Sequence, residues 1–377
     1  MTRRRGNREG TIYQRKDGHW CAELPQVGGK RKRLYARTRE EVARKLVLAL
    51  RDQEVGLPVP DDRLTVERYL TQWLETVRPR VRPWTYRGYE VVVRRHVVPI
   101  IGQVRLSRLT PQQVHALLVS LADHGLSSKS VRNVRVVLSS ALSQAERWGM
   151  VTRNVARLVE PLRREHREMR PLTPGEIRRL LEVIRGHRLE ALILVTLVLG
   201  LRQGEVLGLS WEDLDLDAGT LQVRRQLQRL NGRSELVELK TRRSRRTLVL
   251  PRTLVEVLCE HRRRQGEERM CLGASWKGWE HDLVFTTTLG TPLDGRWVTR
   301  TFQRLLAKAG IERRRFHDLR HSAATTMLVL GVPARVVMEI LGHANVSTTL
   351  EVYAHVVPEL QREAADRIDA FLRGVPW

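Results

Sequence analysis

Six residues spread between positions 202 and 353 carry the side chains that chemistry on a phosphodiester requires. They are Arg202 in GLRQGE, Lys240 in LKTRRSRRTL, His317 and Arg320 in FHDLRH, His343 in LGHANVSTT and Tyr353 in EVYAH. A guanidinium presents a planar fork of N–H donors, so two arginines can grip one phosphate. Lysine and histidine can move protons or stabilise charge. A tyrosine hydroxyl can act as a nucleophile. Its ordinary pKa of about 10 keeps it neutral near pH 7, so it needs a proton acceptor and positive surroundings. Tyr353 is the only tyrosine beyond residue 172, the others being Tyr13, Tyr35, Tyr69, Tyr86 and Tyr89.

Local context narrows the roles. Arg202 directly follows the apolar run ILVTLVLGL, and an arginine at the edge of a buried helix must pair or bind something. Glu205 stands three residues on, on the same helical face, and reads as the partner that orients the arginine. His317 and Arg320 are likewise one turn apart. His321 is adjacent to Arg320, faces elsewhere on a helix, and is left out of the set. Only eight of the 67 Lys and Arg residues are lysine. Lys240, surrounded by arginines, hints at a task arginine cannot do, since lysine can lose a proton and arginine in practice cannot. The plainer reading is a basic surface loop on phosphates.

These residues need a framework, and 377 residues are enough for two or three domains. Residues 1–60 hold three short strands and a helix. TIYQRKDGHWCAEL reads as a strand, a turn at Lys16-Asp17-Gly18 and a second strand, Gly28-Gly29-Lys30 makes the next turn, and KRKRLYA is the third strand. Thr38 with Glu41 opens a helix that stops at Gly56. The basic residues Arg15, Lys16, Lys30, Arg31, Lys32 and Arg33 suit either a ribbon entering a DNA major groove or a solvated hairpin. After the linker GLPVPDDR, residues 62–164 read as a bundle of four helices whose Trp and Tyr belong to its core. A charged linker, RREHREMRPLT, leads to a third unit over 172–377. It begins with the cap Thr173-Pro174-Gly175-Glu176, continues with a buried helix around LEALILVTLVLGL, then two or three strands in TLQVRRQLQ, ELVELK and RRTLVLP, then helices. The fold class expected is mainly α with small β elements, the third unit being mixed α+β.

Composition bounds the partner. The formal net charge is +25 and the sequence pI about 11.2, which favours a polyanion, first of all nucleic acid. Cys21, Cys259 and Cys271 lack the spacing of a disulfide framework or a zinc site. No apolar stretch is long enough to span a membrane, and MTRRRGNREG lacks the apolar core of a signal peptide. A reducing, cytoplasmic and nucleoid-associated setting is expected, with no membrane. No carboxylate cluster accompanies the histidines, which disfavours a metal nuclease. Neither metal nor cofactor is expected.

Taken together, LGLRQGEVLGLSWEDLD, LKTRRSRRTLVLP (a hairpin in the family), FHDLRHSAATTMLVLGV and VVMEILGHANVSTTLEVYAH resemble the catalytic domain of the tyrosine recombinases, the phage integrase family, over about residues 172–365. Residues 62–164 resemble that family's core-binding domain and residues 1–60 its small arm-binding domain. The resemblance implies a site-specific recombinase that integrates or excises a mobile element through a covalent 3′-phosphotyrosine. It implies double-stranded DNA with core and arm sites as substrate, a homo-tetramer on that DNA, and an accessory DNA-bending or directionality factor. Arg202 and Arg320 would straddle the scissile phosphate and Tyr353 would attack it. Lys240 would protonate the leaving 5′-oxygen, His343 would bond a non-bridging oxygen, and His317 would take the tyrosine's proton or hold a phosphate oxygen. Leu360, Ala364, Ile368 and Phe371 recur at helical spacing. Such a C-terminal helix closes its own domain or, as in the family, docks on a neighbouring protomer, and the latter is preferred. A Xer-like chromosome-dimer resolvase shares the chemistry, but the basic N-terminal unit argues against it. A type IB topoisomerase would not need two recognition units. A DNA-binding regulator with an inactive site is at odds with the intact residue set.

Overall fold

The computed structural model describes residues 10–24, 33–54, 63–161, 170–230, 232–239, 244–342 and six positions between 365 and 373. The chain divides into two compact units, residues 1–166 and 167–377, so the division falls within the expected linker RREHREMRPLT.

The first unit contains two separate apolar cores. In one, strands β1 (Thr11–Gln14), β2 (Trp20–Glu23) and β3 (Arg33–Ala36) form an antiparallel sheet in sequence order. Helix α1 (Arg39–Glu54) closes it. Ala22, Leu24 and Ala36 pack with Val42, Leu46 and Ala49 between sheet and helix. The Thr38 hydroxyl accepts the Glu41 N–H at 3.2 Å and so satisfies one free donor of the first turn. Arg33 pairs with Glu23 at 2.7 Å, and Arg15 lies over the Tyr35 ring with its guanidinium 5.5 Å from the centroid. The Gly28-Gly29-Lys30 turn, the basic residues Lys30, Arg31 and Lys32, and the end of the helix near Gly56 lie outside the described residues.

The other core belongs to a helical bundle. Helix α2 (Val66–Val77) starts at a Thr65 cap. Helix α3 (Pro83–Val91) runs through a π turn over Val92–Val97 into α4 (Val98–Ile101). Pro99 lacks the N–H of a regular helical ladder, and the wider i to i−5 turn just before it accommodates that loss. Helix α5 (Pro111–Asp123) opens with a reciprocal capping box between Thr110 and Gln113, and α6 (Ser128–Arg147) completes the bundle. Tyr69 and Trp73 are core residues, the Tyr69 hydroxyl donating to the Ala141 carbonyl at 2.5 Å. Trp84 departs from that pattern and is 53% exposed.

The second unit opens as expected on a capping box between Thr173 and Glu176 at the start of α7 (Pro174–Ile184). Helix α8 (Glu190–Leu199) is buried almost all round, as its run of apolar residues requires. It ends at Gly200 in the left-handed region, φ 64°. The short α9 (Gln203–Leu207) follows at once.

The strands correct the sequence reading in two respects. There are five among the described residues: β4 (Leu214–Asp215), β5 (Thr220–Val223), β6 (Arg225–Leu230), β7 (Arg233–Glu238) and β8 (Arg246–Val249). TLQVRRQLQ is therefore two strands rather than one, broken at Arg224, whose guanidinium turns to Asp213 at 2.6 Å. Among its described residues the segment LKTRRSRRTLVLP shows no pairing with itself either. β7 pairs with β6, whereas β8 pairs with β5 in the sheet β4-β5-β8. Lys240 falls between β7 and β8 in sequence, outside the described residues.

Helices α10 (Arg252–Leu272), α11 (Gly295–Lys308), α12 (Asp318–Val329) and α13 (Ala334–Leu341) complete the unit. Its core joins α8 to α10, α11, the start of α12 and the inner faces of β5 and β8 through residues such as Leu192, Val195, Leu221, Leu248, Leu258, Phe302 and Leu319. No helix among the described residues is long and apolar enough to cross a membrane.

Candidate phosphate-binding site

Two helix ends meet at the site. An α-helix leaves its last carbonyl groups without partners and its C-terminus partly negative. Here α8 ends at Gly200 and α13 ends at Leu341, with Gly342 again left-handed at φ 64°. Arginines occupy the free carbonyls. Arg320, on the first turn of α12, is only 2% exposed. One terminal nitrogen donates to the Gly200 carbonyl at 2.6 Å and the other to the Leu341 carbonyl at 2.6 Å. Gly200 is required where it stands. A Cβ there would sit 2.2 Å from Leu341 Cδ2, and the positive φ disfavours any side chain.

Arg202 caps α9, and Glu205 is the third residue of that helix. The Glu205 carboxylate accepts the Arg202 backbone N–H at 3.1 Å and its guanidinium at 2.6 Å. Arg202 also donates to the Gly342 carbonyl at 3.3 Å. Its side chain remains 38% exposed, whereas that of Glu205 is 1% exposed. The orienting partner expected from the sequence is thus in place. Burial alone would raise the Glu205 pKa, but the Arg246 and Arg202 charges outweigh it and hold the carboxyl below its usual value.

Arg246 is a participant the sequence reading missed. It donates to Glu205 at 3.1 Å, and its burial pushes its own pKa down. A signal for it existed. Arg246 lies two residues before buried Leu248 on β8, hence on the same inward face, while Thr247 and Val249 point outward.

His317 immediately precedes α12, and its ring meets that of His321 edge to face at 5.1 Å. Burial, then the nearby Arg320 and Arg202 charges, push the His317 pKa below its ordinary value, so it is a neutral proton acceptor at pH 7. His321 is driven further, to about 4, by burial and by His317. Setting His321 aside for facing away from Arg320 overlooked its i, i+4 spacing to His317, which puts both rings on one face.

The described residues therefore bring Arg202, Glu205, His317 and Arg320 together, with Arg246 and His321 behind them. Three guanidinium groups face one carboxylate. Asp318, the nearest further acid on α12, is taken by Arg315 at 2.8 Å, and among the described residues no carboxylate pairs with Arg320. Burial, then the Arg202 charge, lower the Arg320 pKa to about 9, which still leaves it protonated at neutral pH. A surplus of fixed positive charge next to a neutral imidazole is an anion site with a base beside it. Lys240, His343 and Tyr353 lie outside the described residues. No group of His, Cys, Asp and Glu among the described residues has the arrangement of a metal site.

Comparison with known proteins places the chain in a family. Residues 170–359 match the model described as Phage integrase family, and residues 65–122 match Phage integrase, N-terminal SAM-like domain. The chain is 32% identical to a "Tyrosine recombinase XerC-like" protein of Caldanaerobacter subterraneus subsp. tengcongensis over 90% of this chain and 91% of that protein. It is also 32% identical to an "Integrase" of Streptomyces ambofaciens over 99% of each. Among solved structures, the Tn1549 transposon integrase in complex with transposon right-end DNA has the same fold, with TM-score 0.70, 22% identity, and 81% of this chain and 100% of that chain covered. A lambda integrase tetramer bound to a Holliday junction gives TM-score 0.58 at 20% identity, covering 92% and 96%.

Proposed function

Because the chain belongs to the phage integrase family, the tyrosine recombinases that cut and rejoin DNA, we propose that Arg202 and Arg320 clamp the scissile phosphate while Tyr353 attacks it. The observation that carries this reading is Arg320, a buried guanidinium without a carboxylate partner among the described residues, next to the half-exposed Arg202. The tyrosine oxygen bonds to phosphorus, and the five-coordinate phosphorane gains negative charge on its non-bridging oxygens. Donors fixed in advance for that charge lower the barrier without having to reorganise. His317, neutral at pH 7, accepts the phenolic proton. Lys240 gives a proton to the departing 5′-oxygen, and His343 donates to a non-bridging oxygen. The product is a 3′-phosphotyrosine and a free 5′-hydroxyl. The bond energy is conserved, so attack by another 5′-hydroxyl reseals a strand without ATP.

Around this centre, residues 1–60 serve as the arm-type DNA-binding domain, 62–164 as the core-binding domain and 172–377 as the catalytic domain. The protein works on double-stranded DNA as a homo-tetramer. Assembly is favoured by an apolar groove of about 860 Å³ in the second unit, lined by Leu194, Val198, Leu248, Met327, Leu330 and Ile340. Its occupant is the C-terminal segment of a neighbouring protomer, whose apolar positions include Ile368, 59% exposed here. Bringing arm and core sites together on a stiff duplex requires bending, the task of an accessory DNA-bending or directionality factor.

Neutralising the phosphate tests the clamp. Arg320→Ala should lose cleavage of an ordinary duplex by about a hundredfold or more. It should regain much of it on a duplex whose scissile phosphate is a methylphosphonate, which lacks the charge the arginine would balance. A variant equally inactive on both duplexes would remove Arg320 from that role.

A further inference from the structure

We infer that Arg246 is a positioning residue that holds both arginines of the clamp through a single helix end. This rests on the reading of Arg202 and Arg320 as phosphate ligands. The side chain of Arg246 is 7% exposed, and its guanidinium reaches three acceptors from three parts of the unit. Nε donates to the Ile340 carbonyl at 2.6 Å, one terminal nitrogen to Glu205 Oε2 at 3.1 Å, and the other to the Ser244 carbonyl at 3.0 Å. The consequence lies in the order of the carbonyls at the end of α13. Ile340, Leu341 and Gly342 are consecutive, and they are taken by Arg246, Arg320 and Arg202 respectively. A displacement of that helix end withdraws a partner from both clamp residues at once. Arg246 also holds the carboxylate that aims Arg202, since Glu205 gives one oxygen to each guanidinium group.

The approach is close. A Cβ on Gly342 would lie 3.0 Å from an Arg246 terminal nitrogen, so backbone and guanidinium are packed together. A planar fork with donors on three nitrogens can serve three separated acceptors, whereas a lysine ammonium on a flexible stem cannot. Loss of the guanidinium also leaves Glu205 buried with Arg202 alone. That concentrates the carboxylate's pull on the very group that must face DNA.

The test uses the full-length chain carrying Arg246→Met or Arg246→Lys. Adduct formation on a nicked suicide duplex is followed in a single turnover at saturating protein. The amplitude reports the folded, competent fraction, and the rate constant reports the site. DNA affinity should stay within about threefold of wild type, while the rate constant falls by about tenfold to a hundredfold in both variants. Arg246→Met combined with Glu205→Gln should be no slower than the slower single variant, because the two residues act in one chain of contacts. A rate constant unchanged in Arg246→Lys, or losses that multiply in the double variant, would overturn the assignment. Should Arg246→Met fail to fold, Arg246→Lys decides alone. Arg320→Ala run in parallel keeps the two readings apart. Normal adduct formation in that variant refutes the clamp itself, whereas normal formation confined to the Arg246 variants refutes only the positioning role.

Discussion

At the scale of residues, the site depends on what burial does to charge. Arg320 keeps its proton although burial and Arg202 lower its pKa to about 9, and His317 and His321 beside it are held neutral. Those histidines give stability a pH dependence of known sign. An unfolded histidine titrates near 6.5. His321 titrates at about 4 in the folded chain, and burial likewise lowers His317 and His261. As pH falls from about 6.5 towards 4, the unfolded chain takes up protons that the folded chain refuses, so stability is full above that window and declines through it. Glu205 adds a loss only below the ordinary carboxylate value, because its folded pKa is lowered. Calorimetry on the protein should show a melting temperature that drops between pH 7 and pH 5. A flat profile there would contradict histidines held neutral in the folded chain. The residue types themselves were legible in the chain, since Arg202 abuts an apolar helix and Glu205 follows at helical spacing. Arg246 was harder to see. In the run RRSRR nothing but the strand alternation with Leu248 distinguishes the inward Arg246 from the exposed Arg245.

At the scale of elements, two helix C-termini form the floor of the site. Glycine ends both helices, and in each case the carbonyls left over bind guanidinium groups rather than water. Gly200→Ala would force a left-handed alanine and drive its methyl into Leu341, at a cost of about 2–4 kcal/mol. Chemical denaturation should register that loss, and cleavage by the folded remainder should slow, because the Gly200 and Leu341 carbonyls both hold Arg320. A variant of wild-type stability would show that the close approach of α8 and α13 is not required. Helix starts were readable here through their caps, Thr38 with Glu41 and Thr173 with Glu176. The strand pairing was not. TLQVRRQLQ looks continuous, and only the tertiary demand of Asp213 on Arg224 divides it between two sheets. Of the strands flanking Lys240 in sequence, β7 pairs with its neighbour β6, whereas β8 finds β5 at longer range, which local pattern does not encode.

For the whole molecule, a net charge of +25 and the basic residues ahead of the helical bundle set up a test of the proposed division of labour. Deleting residues 1–60 should leave cleavage at isolated core sites intact and reduce integrative recombination between full attachment sites by about tenfold or more, as loss of a linked second binding site demands. Equal recombination with and without the segment, assayed on the same plasmid substrates, would remove the arm-binding role. Composition and motif order made the family legible in the sequence alone. How the parts are disposed on DNA is a matter of long-range assembly that no local pattern records. The account turns on one covalent bond, and its measurement is direct. The full-length protein is trapped on a nicked suicide duplex, digested, and the DNA-linked peptide is sequenced by mass spectrometry. The account predicts a 3′-phosphate attached to Tyr353 and no adduct from Tyr353→Phe, with DNA binding retained. An adduct on any other residue, or one that persists in Tyr353→Phe, would contradict it.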